Sequence, residues 1–212
     1  ETVPLHYGKN DKLRLPVQYV IRPISDKYPD FRGYAGRLAE GTIKPGDKVK
    51  VYPSELTSTV KGIWLGEKSL DRAVAPESVD ITLEDDIDIS RGDVIVSSGG
   101  QQPMMGQDVE LNVCWFRNSP LVAGKKYLIL HSAQETAGIV KEIEYKIDIN
   151  TQEKNYSADQ LVMNDIARVH LKTADPLVFD YYSDNRTMGS LIFIEEGTND
   201  TVGAGMIVDG QS

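Results

Sequence analysis

The feature that most constrains this 212-residue chain is a two-residue hydrophobic period that recurs along its length. Val109, Leu111, Val113 and Trp115 alternate with Glu110, Asn112 and Cys114. Ala167, Val169 and Leu171 alternate with Arg168, His170 and Lys172, and Val49 and Val51 with Lys48 and Lys50. Successive side chains of a strand point to opposite faces, so each run reads as a strand with one face in a core and one in water. The longest case spans residues 139–149. There Ile139, Ile143, Tyr145, Ile147 and Ile149 share one face, with Lys141 interrupting, and Glu142, Glu144, Lys146 and Asp148 take the other. Such a strand is long enough to bend around a barrel. No segment sustains a 3.6-residue period; only Ser157-Ala158-Asp159-Gln160-Leu161 is expected to make a short helical turn.

Turn chemistry separates the strands. Lys44-Pro45-Gly46-Asp47 sets proline second and glycine third, as a type II turn requires, and Arg91-Gly92-Asp93 marks a turn before Val94-Ile95-Val96. Short strands with turn signals between them indicate an all-β sandwich or barrel. Composition changes at Ser97-Ser98-Gly99-Gly100-Gln101-Gln102-Pro103, a small, polar, breaker-rich stretch. The expected organisation is two consecutive antiparallel β-barrels, residues 12–98 and 107–212, joined by a linker at 99–106. Residues 1–11 read as a lead-in strap, exposed from Tyr7 to Lys12, continuing from something upstream.

Charge and cysteine usage narrow the partners. The net charge is -9, and -7 of it falls after Pro103. An acidic surface without a basic stripe repels phosphate, so nucleic acid is not expected. No apolar run approaches the roughly 20 residues that span a bilayer, so no membrane is expected either. Glu1 to Asn10 carries no apolar core of a secretory signal, and a single cysteine, Cys114, suits a reducing cytoplasm.

No active site emerges from the residues. Gly62-Ile63-Trp64-Leu65-Gly66-Glu67-Lys68-Ser69 has three residues between its glycines where a phosphate loop needs four, and Glu67 would repel the anion. It reads as a strand end and turn. Asp30-Phe31-Arg32-Gly33 matches the short pattern with which GTPases sense a γ-phosphate, but no base-recognition motif accompanies it. The acidic run Glu84-Asp85-Asp86-Ile87-Asp88 lacks the ligand order and glycine of a calcium loop and reads as solvated loop. His6, His131 and His170 stand far apart, with no second histidine or cysteine at metal-ligand spacing. Asn155, Asn185 and Asn199 each open a glycosylation tripeptide, which is coincidence without a secretory route. Trp64 and Trp115 lie within apolar alternation and are expected in the core. No catalytic, cofactor-binding or metal residue is assigned.

Several segments taken in order resemble a known family. Arg14-Leu-Pro-Val-Gln-Tyr-Val20, Asp30-Phe-Arg-Gly-Tyr-Ala-Gly36, Ile43-Lys-Pro-Gly-Asp-Lys-Val-Lys-Val51 and Asp86-Ile-Asp-Ile-Ser-Arg-Gly-Asp93 are similar to the second domain of the GTPase subunit of bacterial sulfate adenylyltransferase. Lys126-Tyr-Leu-Ile-Leu130, Ile143-Glu-Tyr-Lys-Ile-Asp-Ile-Asn150, Asn185-Arg186 with Gly189, and Thr201-Val-Gly-Ala-Gly-Met-Ile207 continue the likeness into the third domain. The proline-glycine hairpin and the glycine-rich ending are shared with elongation-factor GTPases generally. Ser25-Asp-Lys-Tyr-Pro29 departs from the pattern as an insertion.

The resemblance implies barrels of translation-factor type. It also implies a parent whose upstream domain binds GTP and Mg and whose small partner subunit transfers adenylyl from ATP to sulfate. No GTP-contacting residue carries over. These barrels are then the non-catalytic body that couples the GTPase domain to the small subunit. Phe31, Arg32 and Tyr34 are the candidate contact surface, since an aromatic beside an arginine is a common interface anchor. Two other readings are the body of an RNA-carrying elongation factor, which the acidic charge opposes, and a stand-alone barrel scaffold.

Overall fold

The computed structural model describes residues 12–22 and 32–210. The strap at 1–11, the insertion at 25–29 and Phe31 lie outside the described residues. Among those described there is no helix, and every strand pairing is antiparallel. The chain divides between Pro103 and Met104 into two compact units.

The first unit contains β1 (Arg14–Ile21), β2 (Gly33–Arg37), β3 (Thr42–Ile43), β4 (Lys48–Tyr52), β5 (Thr57–Leu65), β6 (Lys68–Ser69), β7 (Ala73–Val74), β8 (Ser78–Leu83) and β9 (Val94–Ser97). The order β4-β9-β1-β2-β8-β5 closes when β5 pairs back onto β4, making a six-stranded barrel. Closure leaves no open edge along those six strands. Leu15, Val17, Ile43, Val49, Val51 and Ile63 fill its interior. Both expected turns form: Gly46 and Gly92 have φ of 90° and 99°, and the Asp47 and Asp93 amides donate to Lys44 O and Ser90 O at 3.2 Å. Gly36 permits a close approach, because a Cβ there would stand 2.3 Å from the Pro16 carbonyl oxygen. A bulge between Val17 and Tyr19 lies beside that contact.

Two boundaries differ from expectation. Lys12 is buried, with its ammonium 3.5 Å from Glu40, so the strap is not exposed at that residue. The stretch expected as a linker is bound to the first barrel through residue 102. Arg14, fully buried, donates to Leu13 O at 3.0 Å and to Gln101 O at 2.9 Å. The Gln102 amide donates to Ser97 O and Gly100 O at 3.0 and 2.7 Å. A breaker-rich composition predicts an irregular backbone, but it does not show that a buried guanidinium satisfies its carbonyls. Met104 to Gly106 are already strand.

The second unit contains β10 (Met104–Trp115), β11 (Leu121–Val122), β12 (Lys126–His131), β13 (Gln134–Ile147), β14 (Lys154–Asn155), β15 (Gln160–Leu161), β16 (Ile166–Phe179), β17 (Ser190–Ile194) and β18 (Thr201–Val208). The order β12-β17-β18-β10-β16-β13 closes through β13 and β12 into a second six-stranded barrel. At its centre Trp115, Tyr127 and Phe193 meet edge to face, with centroids 5.5 to 6.2 Å apart. The expected alternations at 109–115 and 167–171 both point their apolar members inward.

The alternation over 139–149 does not hold as expected. Thr136, Gly138 and Val140 face inward, then Ile143 does, because the register slips between Val140 and Glu142; a second slip between Ile143 and Tyr145 sets Tyr145 opposite Arg168 on the outer face, covered by Tyr156 and Lys154. One extra residue in a bulge reverses the facing of everything beyond it. Ile139 is therefore exposed, and Ile149 lies exposed beyond the strand end. No helical turn forms at residues 157–161. Ser157 closes a turn through the Asn155 carboxamide at 2.9 Å, and Gln160–Leu161 pairs with Leu121–Val122. Serine and asparagine compete with helix by bonding nearby backbone, and here they succeed.

Candidate functional site

Arg32 precedes β2, and Tyr34 lies in it between Val20 of β1 and Ile81 of β8. Inward alternation buries the Tyr34 ring in the core while its hydroxyl reaches the rim and donates to Ile87 O at 3.1 Å. Burial pushes its phenol upward, outweighing the opposing pull of the Arg32 guanidinium. Arg32 Nη1 donates to Asp86 Oδ1 at 2.7 Å and to Ile87 O at 2.8 Å, and Nη2 lies 3.5 Å from Asp88 Oδ1. The two described candidates thus converge on the loop after β8. The acidic run is exposed, as expected, but it is also tethered. Ser58 donates to Asp85 Oδ2 at 2.8 Å, and the Asp85 amide returns a bond to Ser58 Oγ.

These residues border a cleft of about 530 Å³ lined by Arg32, Tyr34, Lys61, Trp64 and the chain from Thr82 to Asp86. Trp64 is not in the core as expected. The register slips between Val60 and Gly62, so Ile63 points inward and Trp64 outward. Its indole lies over the Gly62 backbone, where a Cβ would come within 2.2 Å of the ring. The cleft offers two cations, an aromatic face and carboxylates, which suits recognition. Among the described residues that line it there is no histidine or cysteine. The glycine-rich segment at 62–69 is a hairpin: Leu65 pairs with Lys68 around Gly66, which has a φ of 61°.

A second cluster was invisible in sequence spacing. On the second barrel, β10 and β13 flank β16 and bring Glu110 and Glu144 to the two sides of His170. Its only signal was that all three occupy polar positions of alternating strands. By contrast, His131 is a core histidine whose Nε2 bonds Met188 O at 2.8 Å. Asn185 is buried and its side chain accepts from the Thr187 and Met188 amides, so its tripeptide is structural.

Comparison with known proteins agrees with this architecture. Residues 108–208 match the GTP-eEF1A C-terminal domain-like family. Sulfate adenylyltransferase subunit 1 of Teredinibacter turnerae is 41% identical over 210 residues, 99% of this chain and 44% of that protein. The Aliarcobacter butzleri protein of the same name is 43% identical over 92% of this chain and 40% of its own length. The bifunctional enzyme CysN/CysC of Rhodopirellula baltica is 43% identical over 99% of this chain and 32% of its own. The chain therefore spans less than half the length of these relatives. A crystal structure of sup35 complexed with GDP superposes with a TM-score of 0.83 at 17% identity, covering 94% of this chain and 48% of that one, which is a likeness of fold. Along nearly its whole length, then, the chain is a relative of sulfate adenylyltransferase subunit 1, built as two barrels of translation-factor type.

Proposed function

We propose that these barrels are the non-catalytic body of a GTP-hydrolysing subunit of sulfate adenylyltransferase, acting in the cytoplasm. In this reading an upstream domain binds GTP and Mg. A small partner subunit forms adenosine 5'-phosphosulfate and pyrophosphate from ATP and sulfate, and the barrels transmit the nucleotide state between the two. The observation that carries the proposal is identity of 41% and 43% over 99% and 92% of the chain to two proteins named sulfate adenylyltransferase subunit 1. Supporting it, the cleft beside Arg32 presents Arg32, Lys61 and Trp64 together, residue types that suit a docking face. Rigid-body rearrangement of a nucleotide domain against such barrels is the expected mode of coupling.

The test joins the barrels to their parent. The full-length protein is co-expressed with the small subunit, and GTP-dependent formation of adenosine 5'-phosphosulfate is measured. The expected result is that synthesis requires both subunits and that Arg32→Glu with Lys61→Glu uncouples it from GTP hydrolysis. A full-length protein that neither binds the small subunit nor alters its output refutes the proposal. The isolated barrels are expected to give no heat when titrated with GTP.

A further inference from the structure

On the outer face of the second barrel, Glu110 of β10 sits directly across from His170 of β16, which in turn sits across from Glu142 of β13, with Glu144 one step along. One imidazole nitrogen, one Glu110 oxygen and one Glu144 oxygen lie within 4.8 Å of one another. His170 Nδ1 is 4.0 Å from Glu110 Oε1, and Nε2 is 3.7 Å from Glu144 Oε2. We propose that Glu110, Glu144 and His170 form a site for a late first-row divalent cation, with zinc as the natural probe.

The donor set supports this cation class. Imidazole suits zinc, copper or nickel, whereas magnesium and calcium take oxygen alone. Bonds of roughly 2.1 Å in a tetrahedron hold neighbouring ligand atoms about 3.4 Å apart, so atoms now within 4.8 Å of one another must approach by up to about 1.4 Å. The three side chains are half-buried and retain that freedom. β10 pairs with β16 without interruption from Asp108 to Cys114, and Glu142 is in register with His170, while Glu144 stands in a bulge between Ile143 and Tyr145.

The surroundings favour a cation in two ways. Arg168 Nε donates to Asn112 Oδ1 at 2.9 Å, which fixes its guanidinium, and Nη1 holds Glu110 Oε2 at 3.3 Å. Glu110 Oε1 is thereby left facing the imidazole. A ligating carboxylate oriented through its other oxygen is the common outer arrangement of metal sites. Three carboxylates, Glu110, Glu142 and Glu144, also surround the imidazole against the Arg168 guanidinium, while Lys141 is bound to Asp108 at 2.7 Å and Lys172 stands opposite the same aspartate. A cleft of about 310 Å³ over Glu110, Glu142 and His170 leaves room for water to complete the coordination. A bound cation would clip three adjacent strands together. The inference is independent of the coupling role proposed above.

Calorimetric titration of the 212-residue chain with zinc chloride at pH 7.5 tests it, alongside histidine side-chain NMR. The expected result is one equivalent of zinc bound with micromolar affinity and a shift of the His170 imidazole resonances. His170→Ala and Glu144→Gln are each expected to weaken binding about tenfold or more. The isosteric glutamine guards against loss of fold, which circular dichroism verifies. Absence of saturable binding, affinity unchanged in both variants, or displacement by equimolar magnesium each overturns the proposal.

Discussion

Gly203→Ala is the most informative single perturbation of the second barrel. A Cβ at residue 203 would lie 2.7 Å from Trp115 Cε3, 3.0 Å from Cζ3 and 3.1 Å from the Cys114 carbonyl oxygen. Ordinary carbon contacts begin near 3.5 Å, so the indole must retreat by about 0.8 Å. It is poorly placed to do so. Trp115 is fully buried, its Nε1 donates to Ser119 O at 2.8 Å, and Tyr127 and Phe193 press edge to face against it. Overpacking of this kind costs about 1–3 kcal/mol. For a unit of this size each kcal/mol lowers the melting temperature by roughly 4–8 °C.

Urea unfolding of Gly203→Ala, Trp115→Phe and the double variant forms the cycle. Phenylalanine removes the atoms that the new methyl strikes. The double variant is therefore expected to be more stable than additivity predicts, by about 1 kcal/mol or more. Gly205→Ala is the contrast, because its Cβ would meet the Leu191 and Leu111 methyl tips at 3.0 and 3.2 Å. Those tips rotate aside, so its cost should stay below about 1 kcal/mol. Equal costs at the two glycines, or strict additivity in the cycle, would refute the argument that the Trp115 ring is what the strand must accommodate.

Three further outcomes are expected. Gly36→Ala meets a backbone oxygen at 2.3 Å rather than a rotatable side chain, so it should cost more than Gly203→Ala; thermal unfolding ranks the two, and the reverse order contradicts the close approach of β1 and β2. Burial lowers the His131 imidazole below its ordinary value and outweighs the bond to Met188 O, so the folded chain resists protonation. Stability is then full above pH ~6.5 and falls as the unfolded chain takes up the proton, by up to about 1.4 kcal/mol per pH unit. His131→Gln should flatten that slope, and matching slopes in the two proteins would rule the mechanism out. Finally, Arg32→Ala frees the loop after β8 by removing ion pairs with exposed aspartates and one hydrogen bond to Ile87 O, so stability should change by about 2 kcal/mol or less. Hydrogen exchange should nonetheless quicken at residues 86–88; unchanged exchange there argues against the tether.

How much of the molecule was legible follows from which interactions are local. At 109–115 and 167–171 the two-residue alternation gave the inward faces correctly, because a flat pleat repeats without interruption. At 139–149 the same reasoning misplaced Ile139, since the bulge at Lys141 is set by pairing with β16 and not by neighbours along β13. Trp64 was misread for the same reason. Arg32 and Tyr34 stand out in sequence only as an arginine near an aromatic, and their convergence on Ile87 O joins residues more than fifty positions apart. His170 looked solitary because its carboxylates arrive from two other strands.

The sequence alone determined that this protein is all strand, that it has two cores, and where its glycine turns fall. Those properties depend on side-chain alternation and on φ values that few residues adopt, both of which act within a few positions. Only the tertiary structure decided where each strand slips by one residue, how Arg14 binds the stretch before the second barrel, and which charges face one another across strands. Each of these is fixed by hydrogen bonds between strands distant in the chain, and closure of a barrel admits only the registers that satisfy all of them together.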